Sequence, residues 1–349
     1  MVLIGMVGLI VLGLVTFGWW TIGFPRRRMW GGALLLGVTF LVSPLLLVVS
    51  GKRFGFDGIV AGLIGLSCVV GGGFFFLTLG WTGRPRTEEF NALLRDPDVK
   101  AIISTIGGTN SNSLLPYIDY EALRRQPKII MGYSDVTALL LACHTQTGVT
   151  TFYGPAIVPS FGEYETMFAD GERYVREVLG LERMAPYTLD VPRQWTEEMI
   201  DWSTQDRQKT FRPNDGWLTL RDGQARGRLI GGNMNTMTGF LKSDYFPDVT
   251  GAILFLEDSF KTMADEERSL SMLKLAGLFD RINGLIIGKH EHFDAAGAPF
   301  SFEALLLEVL GDVDFPILTT SISGIRSRPM CFRLGSRSNL TRRREPSHF

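Results

Sequence analysis

The chain has 349 residues and a formal net charge of −1, so two or three domains fit its length and no global field favours nucleic acid or acidic partners. Three cysteines, Cys68, Cys143 and Cys331, are too few and too far apart for a disulfide framework or a thiolate metal cluster, which suits a reducing compartment. Residues 1–80 are almost entirely apolar, whereas the remainder has the mixed composition of an α/β protein.

Three apolar segments come first: Val2 to Gly23, Trp30 to Ser50 and Ile59 to Leu79. Each is long enough to cross roughly 30 Å of hydrocarbon as a helix. A signal peptide fits poorly, because the first segment lacks a basic start and two more spans follow. The first connection carries Arg26, Arg27 and Arg28, the second Lys52 and Arg53, and the segment after the third span Arg84 and Arg86. That balance places the first connection and the large C-terminal part in the cytoplasm, as an inner-membrane protein with a cytoplasmic soluble domain.

From Thr87 onward helices and strands alternate. Thr87 to Arg95 reads as a helix led by a Thr cap, and Val99 to Ile106 as a strand buried on both faces. That strand ends in Gly107-Gly108, a turn that a ligand can approach closely. Ile118 to Arg125 reads as a helix, Lys128 to Tyr133 as a strand, and a further helix begins after Ser134. The rhythm is that of a parallel sheet, whose sites lie at the carboxyl ends of strands. Residues 160–215 are polar and weakly periodic and read as a connection. A second α/β region begins near Trp217, with strands Gly227 to Ile230, Ala252 to Leu256 and Leu285 to Ile287. It has a tight turn at Gly231-Gly232-Asn233 and a helix from Ala264 to Leu278.

Ser134 stands where an apolar strand gives way at once to a helix. Such a serine has its hydroxyl pushed out of the sheet, with the N–H groups of the new helix facing whatever the hydroxyl attacks. From spacing alone, a serine that merely N-caps the helix remains an open alternative. Acyl transfer by serine also needs a base, a group that orients the base, and donors for the oxyanion. Glu257, ending an apolar strand, is a candidate orienting carboxylate, with a solvated strand-end carboxylate as the plain alternative. Of four histidines, His144 lies within the helix after Ser134, His290 and His292 flank Glu291, and His348 lies in the tail. The spacing His290-Glu291-His292 lacks the H-E-x-x-H pattern of a zinc site, so neither metal nor cofactor is expected. Trp195, Trp202 and Trp217 are candidates for stacking on a base, or for packing.

These segments resemble the LD-carboxypeptidase family of serine peptidases, which includes microcin C self-immunity peptidases. The resemblance runs from about Thr87 to Ile322 through "DPDVKAIISTIGGTNSNSLLPYIDY" (96–120), "PKIIMGYSDVTALL" (127–140), "TFYGPAIVPSFGE" (151–163), "GRLIGGNMNTM" (227–237), "GAILFLEDS" (251–259) and "GLIIGKHEHFD" (284–294). It implies Ser134 as nucleophile, Glu257 as triad carboxylate, and the N–H groups of Gly108 and Asp135 as the oxyanion hole. The implied reaction is metal-free hydrolysis of an amide near the carboxyl terminus of a murein tetrapeptide or a related small peptide. A peptide-nucleotide immunity peptidase or an inactive peptide-binding relative is the alternative. The family commonly forms dimers.

Two departures stand out. The family's catalytic histidine belongs to a "GHTxP" turn, and the corresponding Gly324-Ile325-Arg326-Ser327-Arg328-Pro329 has none, so the triad histidine expected near Ile325 is missing. From Gly324 to Phe349 there are seven arginines, one acidic residue and no lysine, a composition suited to neither helix nor strand. Restoring one cytosine after the Gly324 codon lets the tail read Gly-His-Thr, so a single-nucleotide frameshift is expected there. The family's first strand, helix and strand are also not recognisable before Thr87, which would leave sheet edges exposed. The expected organisation is three transmembrane helices (1–82) and a truncated Rossmann/flavodoxin-like parallel-sheet nucleophile domain (83–165). A connection (166–215), a second α/β domain (216–323) and an out-of-frame tail (324–349) follow.

Overall fold

A computed structural model describes residues 83–341, apart from 166, 181–191, 193, 202–203, 215, 289 and 321–331. The three apolar spans and Ile325 lie outside the described residues. Among the described residues, no helix is long and apolar enough to cross a membrane. The chain divides into two compact units, Met1–Glu89 and Phe90–Phe349, and the first contributes only residues 83–89 here.

Helix α1 spans Gly83–Arg95. Thr87 therefore lies inside it, fully buried, and is not its cap. Strand β1 is Ala101–Ile103, shorter than the β-branched run suggested, and it is half-exposed instead of buried on both faces. The reason is its position: in the first sheet β1 pairs with β2 (Ile129–Gly132), β2 with β3 (Thr151–Tyr153) and β3 with β11 (Phe332–Leu334), so β1 is an edge among the described residues. A 3₁₀ helix (Ser111–Tyr117) leads to α2 (Tyr120–Arg125), whose N-cap Asp119 accepts from Ala122 N–H. Strand β2 (Ile129–Gly132) runs parallel to β1 and to β3 (Thr151–Tyr153).

Between β2 and β3 lies α3 (Thr137–Thr147), ended by Gly148 in the left-handed conformation. Ala138, Leu140, Leu141, Ala142 and Cys143 are all fully buried. The helix touches β2, β3 and β11 of the first sheet and β7 of the second, which explains why it is apolar nearly all round.

The stretch expected to be mere connection has structure of its own. A π-helical turn (Ile157–Phe161) precedes α4 (Ala169–Leu179), and a small antiparallel ribbon joins β4 (Gln194–Trp195) to β5 (Arg212–Pro213). Lys209 and Glu163 form an ion pair whose side chains are 2% and 1% exposed, clamping this region to the end of the π-helical turn.

The second sheet has the order β12-β7-β8-β9-β10-β6. It comprises β6 (Trp217–Arg221), β7 (Gln224–Asn233), β8 (Ile253–Glu257), β9 (Gly284–Ile287) and β10 (Ile317–Thr320), with β7, β8, β9 and β10 parallel. Gly231-Gly232-Asn233 is the end of strand β7, not a tight turn. A β-carbon on Gly231 would fall 1.8 Å from the Phe255 carbonyl oxygen, so only glycine lets β7 approach β8 there. Helix α5 (Met234–Thr238) follows β7, α6 (Met263–Leu275) follows β8 with a Thr262–Asp265 capping box, and α7 (Phe302–Leu310) precedes β10.

Part of the arginine-rich tail is also sheet, contrary to expectation. Strand β11 (Phe332–Leu334) pairs with β3, and β12 (Arg337–Thr341) pairs with β7. Phe332 and Leu334 are buried, and the turn at Gly335 packs on the His144 ring so closely that a β-carbon would lie 2.0 Å from Cε1. Two inward apolar residues and a glycine at φ 83° suffice for a strand pair despite the flanking arginines.

Candidate active site

The site forms where the carboxyl ends of β2, β3, β7 and β8 meet. Strand β2 ends at Gly132, where a β-carbon would clash with Ser104 Oγ at 2.6 Å and Val136 Cγ1 at 2.7 Å. The chain then turns through Ser134 at φ 55°, a left-handed value that costs a non-glycine residue on the order of 1–2 kcal/mol. Ser134–Val136 forms one 3₁₀ turn before α3, and neither that turn nor α3 has a side-chain N-cap. The helix-cap alternative for Ser134 is thereby removed. Ser134 is half-buried, and the Gly107 backbone lies against it: a β-carbon there would be 3.1 Å from Ser134 Oγ.

Asp135, the next residue, is 6% exposed. Its Oδ2 accepts from Asn110 N–H and Ser111 N–H, both at 2.9 Å, and from the Ser111 hydroxyl at 2.7 Å. A β-carbon on Gly108 would come within 2.9 Å of the same oxygen. The Asp135 carboxylate thus holds the Gly107-Gly108 loop beside the Ser134 turn. Sequence reasoning assigned a role to the Asp135 backbone alone and missed its side chain.

Glu257 ends β8 and is 2% exposed, so the solvated strand-end alternative fails. Its Oε1 accepts from the Tyr153 hydroxyl at 2.5 Å and from Asn233 Nδ2 at 3.1 Å. Oε2 has no partner among the described residues. Burial pushes the Glu257 carboxyl up to about 7, against the pull of the Tyr153 hydrogen bond. The Tyr153 oxygen also accepts from Ser134 N–H at 3.2 Å, so one phenol ties the serine turn to the carboxylate. Burial beside Glu257 raises the Tyr153 hydroxyl well above its ordinary value and keeps it a donor. Its ring is set edge-on to Phe255, which in turn packs on Phe332 of β11.

Asn233 closes the second seam. Its N–H donates to Thr137 Oγ1 at 3.0 Å, and its side-chain amide also reaches Asp258 Oδ1 at 3.3 Å. A β-carbon on Gly232 would lie 2.6 Å from Thr137 Cγ2, so the "GGN" segment is shaped by its contact with α3. Tyr153 and Asn233 are the residues that sequence reasoning passed over, and their only signal was their place at the ends of strands.

The histidines separate. His144 bonds the Val149 carbonyl through Nδ1 at 3.0 Å and is structural. His290 Nδ1 donates to Glu266 Oε1 at 2.6 Å, while His292 stacks on Phe260 at 4.8 Å between ring centroids. Among the described residues, no three His, Cys, Asp or Glu side chains group so as to hold a metal. Trp195 is covered by the Arg212 guanidinium and Trp217 is a partly exposed strand residue, whereas Trp202 lies outside the described residues.

Comparison with known proteins identifies the family. The pattern of the LD-carboxypeptidase N-terminal domain matches residues 62–154, and that of the C-terminal domain matches residues 226–340. A putative carboxypeptidase of Vibrio cholerae is 49% identical over 67% of this chain and 70% of its own. The chain belongs to the LD-carboxypeptidase family. It is therefore a member of a family of serine-type carboxypeptidases, hydrolases of peptide bonds. The microcin C7 self-immunity protein MccF of Escherichia coli is 44% identical over 68% of this chain and 70% of its own. The structure of MccF in complex with aspartyl sulfamoyl adenosine is similar at TM-score 0.68 and 40% identity, covering 75% of this chain and 79% of that one. The family match is longer than the motifs alone suggested. It begins inside the third apolar segment, and it runs past Ile322 to take in β11 and nearly all of β12.

Proposed function

We propose that this chain carries the site of a serine peptidase that hydrolyses an amide near the carboxyl terminus of a small peptide, with Ser134 as nucleophile and Glu257 as the carboxylate that orients the catalytic base, and that its activity requires the triad histidine missing near Ile325. The observation that carries the reading is the Ser134 turn at φ 55°, uncapped, with the Gly107 backbone against its hydroxyl and Glu257 linked to its N–H through Tyr153. In this mechanism Ser134 Oγ attacks the carbonyl carbon, and the N–H groups of Gly108 and Asp135 receive the oxyanion. The proton passes to a histidine and on to the leaving amine, and water then releases the acyl group from the serine.

The base is the element in question. Ile325 stands where the resemblance puts the histidine, and a frameshift at that codon is our explanation, against which the family match running on to residue 340 must be weighed; resequencing the codon tests it, and an in-frame isoleucine codon refutes it. As written, the chain should show no measurable turnover, since losing one member of a triad costs on the order of a millionfold. For the substrate, similarity to MccF favours an aminoacyl group joined to a nucleotide over a murein tetrapeptide. The three apolar spans are proposed to anchor the protein in the inner membrane with this site in the cytoplasm, as a homodimer.

The test uses the chain with the frame restored at codon 325, offered aspartyl sulfamoyl adenosine and an L,D-tetrapeptide in parallel. Cleavage of either, abolished by Ser134→Ala, supports the reading, and the faster substrate settles its class. Cleavage that survives Ser134→Ala refutes it.

A further inference from the structure

Beyond Glu257, the second sheet buries an unusual concentration of acid. Glu257, Asp258, Glu266 and Glu291 are each no more than 2% exposed. Buried carboxylates are tolerated when they are paired with a cation or neutralised by a proton. The residue placed to decide between those outcomes is His290, whose side chain is 7% exposed.

His290 is held by one hydrogen bond and one ring contact. Its Nδ1 donates to Glu266 Oε1 of α6 at 2.6 Å, and its ring lies 4.4 Å from that of Phe302 of α7. The segment that carries it is stitched to the end of β8. Gly288 N–H donates to the Leu256 carbonyl at 2.7 Å, Phe260 N–H to the Glu291 carbonyl at 2.8 Å, and Asp294 N–H to the Lys261 carbonyl at 2.9 Å. A β-carbon on Gly288 would lie 2.9 Å from Glu257 Cβ, so the chain crosses directly beside the candidate triad carboxylate on its way to His290. His290 Nε2 is buried without a partner among the described residues.

We propose that His290, anchored by Glu266, is a positioning residue of this site: a buried cation that sets the charge of the Glu257–Asp258 pair. The inference rests on the reading of Glu257 as the triad carboxylate. Glu266 of α6 and the neutral Phe302 ring of α7 touch His290, and Glu257 and Asp258 at the end of β8 act on it through charge. Glu291 and His292 flank it on its own segment, and Lys261 faces Asp258 from the loop leaving β8. The directions of titration agree. Burial is the largest single influence and opposes the charge on His290, but the Glu266 hydrogen bond and the charges of Glu266, Asp258 and Glu257 together outweigh it and raise His290 above its ordinary value. Reciprocally, His290 pulls down both Glu257 and Asp258, which burial pushes up. With His290 neutral, Glu257, which already stands at about 7 with His290 pulling it down, would hold its proton to higher pH, and a protonated Glu257 cannot stabilise an imidazolium.

The decisive measurement follows the ring ¹⁵N and ¹³C signals of His290 against pH in the full-length chain, assigned by their loss in His290→Gln. His290 should titrate above about 6.5, with its midpoint falling by about half a pH unit or more in Glu257→Gln and further in Glu266→Gln. A ring that is neutral from pH 5 upward, or a midpoint unmoved in Glu257→Gln, overturns the proposal. In the frame-restored chain, His290→Gln should raise the acid limb of the kcat/KM profile by about one pH unit. A uniform loss at every pH would mean a merely structural role. The two readings fail separately: coupling in the titration with full turnover in Glu257→Gln removes Glu257 from the triad, whereas lost turnover without coupling removes only His290.

Discussion

The two sides of the site are built on opposite principles. On the serine side, Ser134 is half-buried, its hydroxyl caps neither of the helical turns that follow, and its backbone sits at φ 55°. On the carboxylate side, Glu257 lies on a regular strand, fully enclosed, and everything distinctive about it comes from residues far away in sequence: Tyr153, Asn233 and, through charge, His290. One side stores its chemistry in the backbone and the other in burial. Tyr153 bonds both Ser134 and Glu257 directly.

That contrast can be broken by experiment. The largest effect belongs to Ser134, the proposed nucleophile: in the frame-restored chain, Ser134→Ala should lower kcat by at least roughly a thousandfold with little change in Tm. Next comes Asn233→Ala, which removes the cap of α5 and a buried donor to two carboxylates, and should cost about 3 kcal/mol in denaturant unfolding. A cost below about 1 kcal/mol would show that the carboxylate side is not held as described.

Glu257→Gln tests burial through pH. The folded carboxyl is raised to about 7, so the native state binds its proton more tightly than the unfolded chain does. Stability from this group is therefore complete below the ordinary carboxylate range and is lost as pH rises through 7. The Gln variant should be more stable than the parent above pH 7, by up to about 3 kcal/mol, and no more stable below about pH 4.5. Thermal melts across that range would show the crossover, and equal gain at all pH values would break the argument.

The smallest effect tests local strain. Ser134→Gly should stabilise the fold by about 1 kcal/mol, since glycine accepts a positive φ without cost, although its own unfolded-state entropy offsets part of the gain. A loss of stability there would mean that the serine side chain packs in a way that compensates the strain.

How much of this was legible beforehand follows the same division. The Ser134 turn, the Gly107-Gly108 loop and the strand ending at Glu257 could all be read, because each is a local pattern of apolar run, glycine and polar residue. The β11–β12 pair could not be read from a stretch with seven arginines, because its strands are stabilised by partners, β3 and β7, in two different sheets. Val99 to Ile106 reads as a buried strand from its β-branched residues, yet only Ala101–Ile103 is strand and it lies at an edge. Gly231-Gly232 reads as a turn, because composition alone cannot distinguish a glycine that bends the chain from one that lets two strands touch.

The amino-acid sequence by itself determined the family, the alternation of strand and helix, and the serine at a strand-to-helix junction, since these depend on residues adjacent in the chain. Tertiary structure alone decided that Ser134 caps nothing, that the Asp135 carboxylate holds the Gly107-Gly108 loop, and that Tyr153 joins serine to Glu257. It also decided the charge around Glu257. A carboxylate's state depends on what water is excluded and which charges lie nearby, and residues as distant in sequence as Tyr153 and His290 supply both only when the chain is folded.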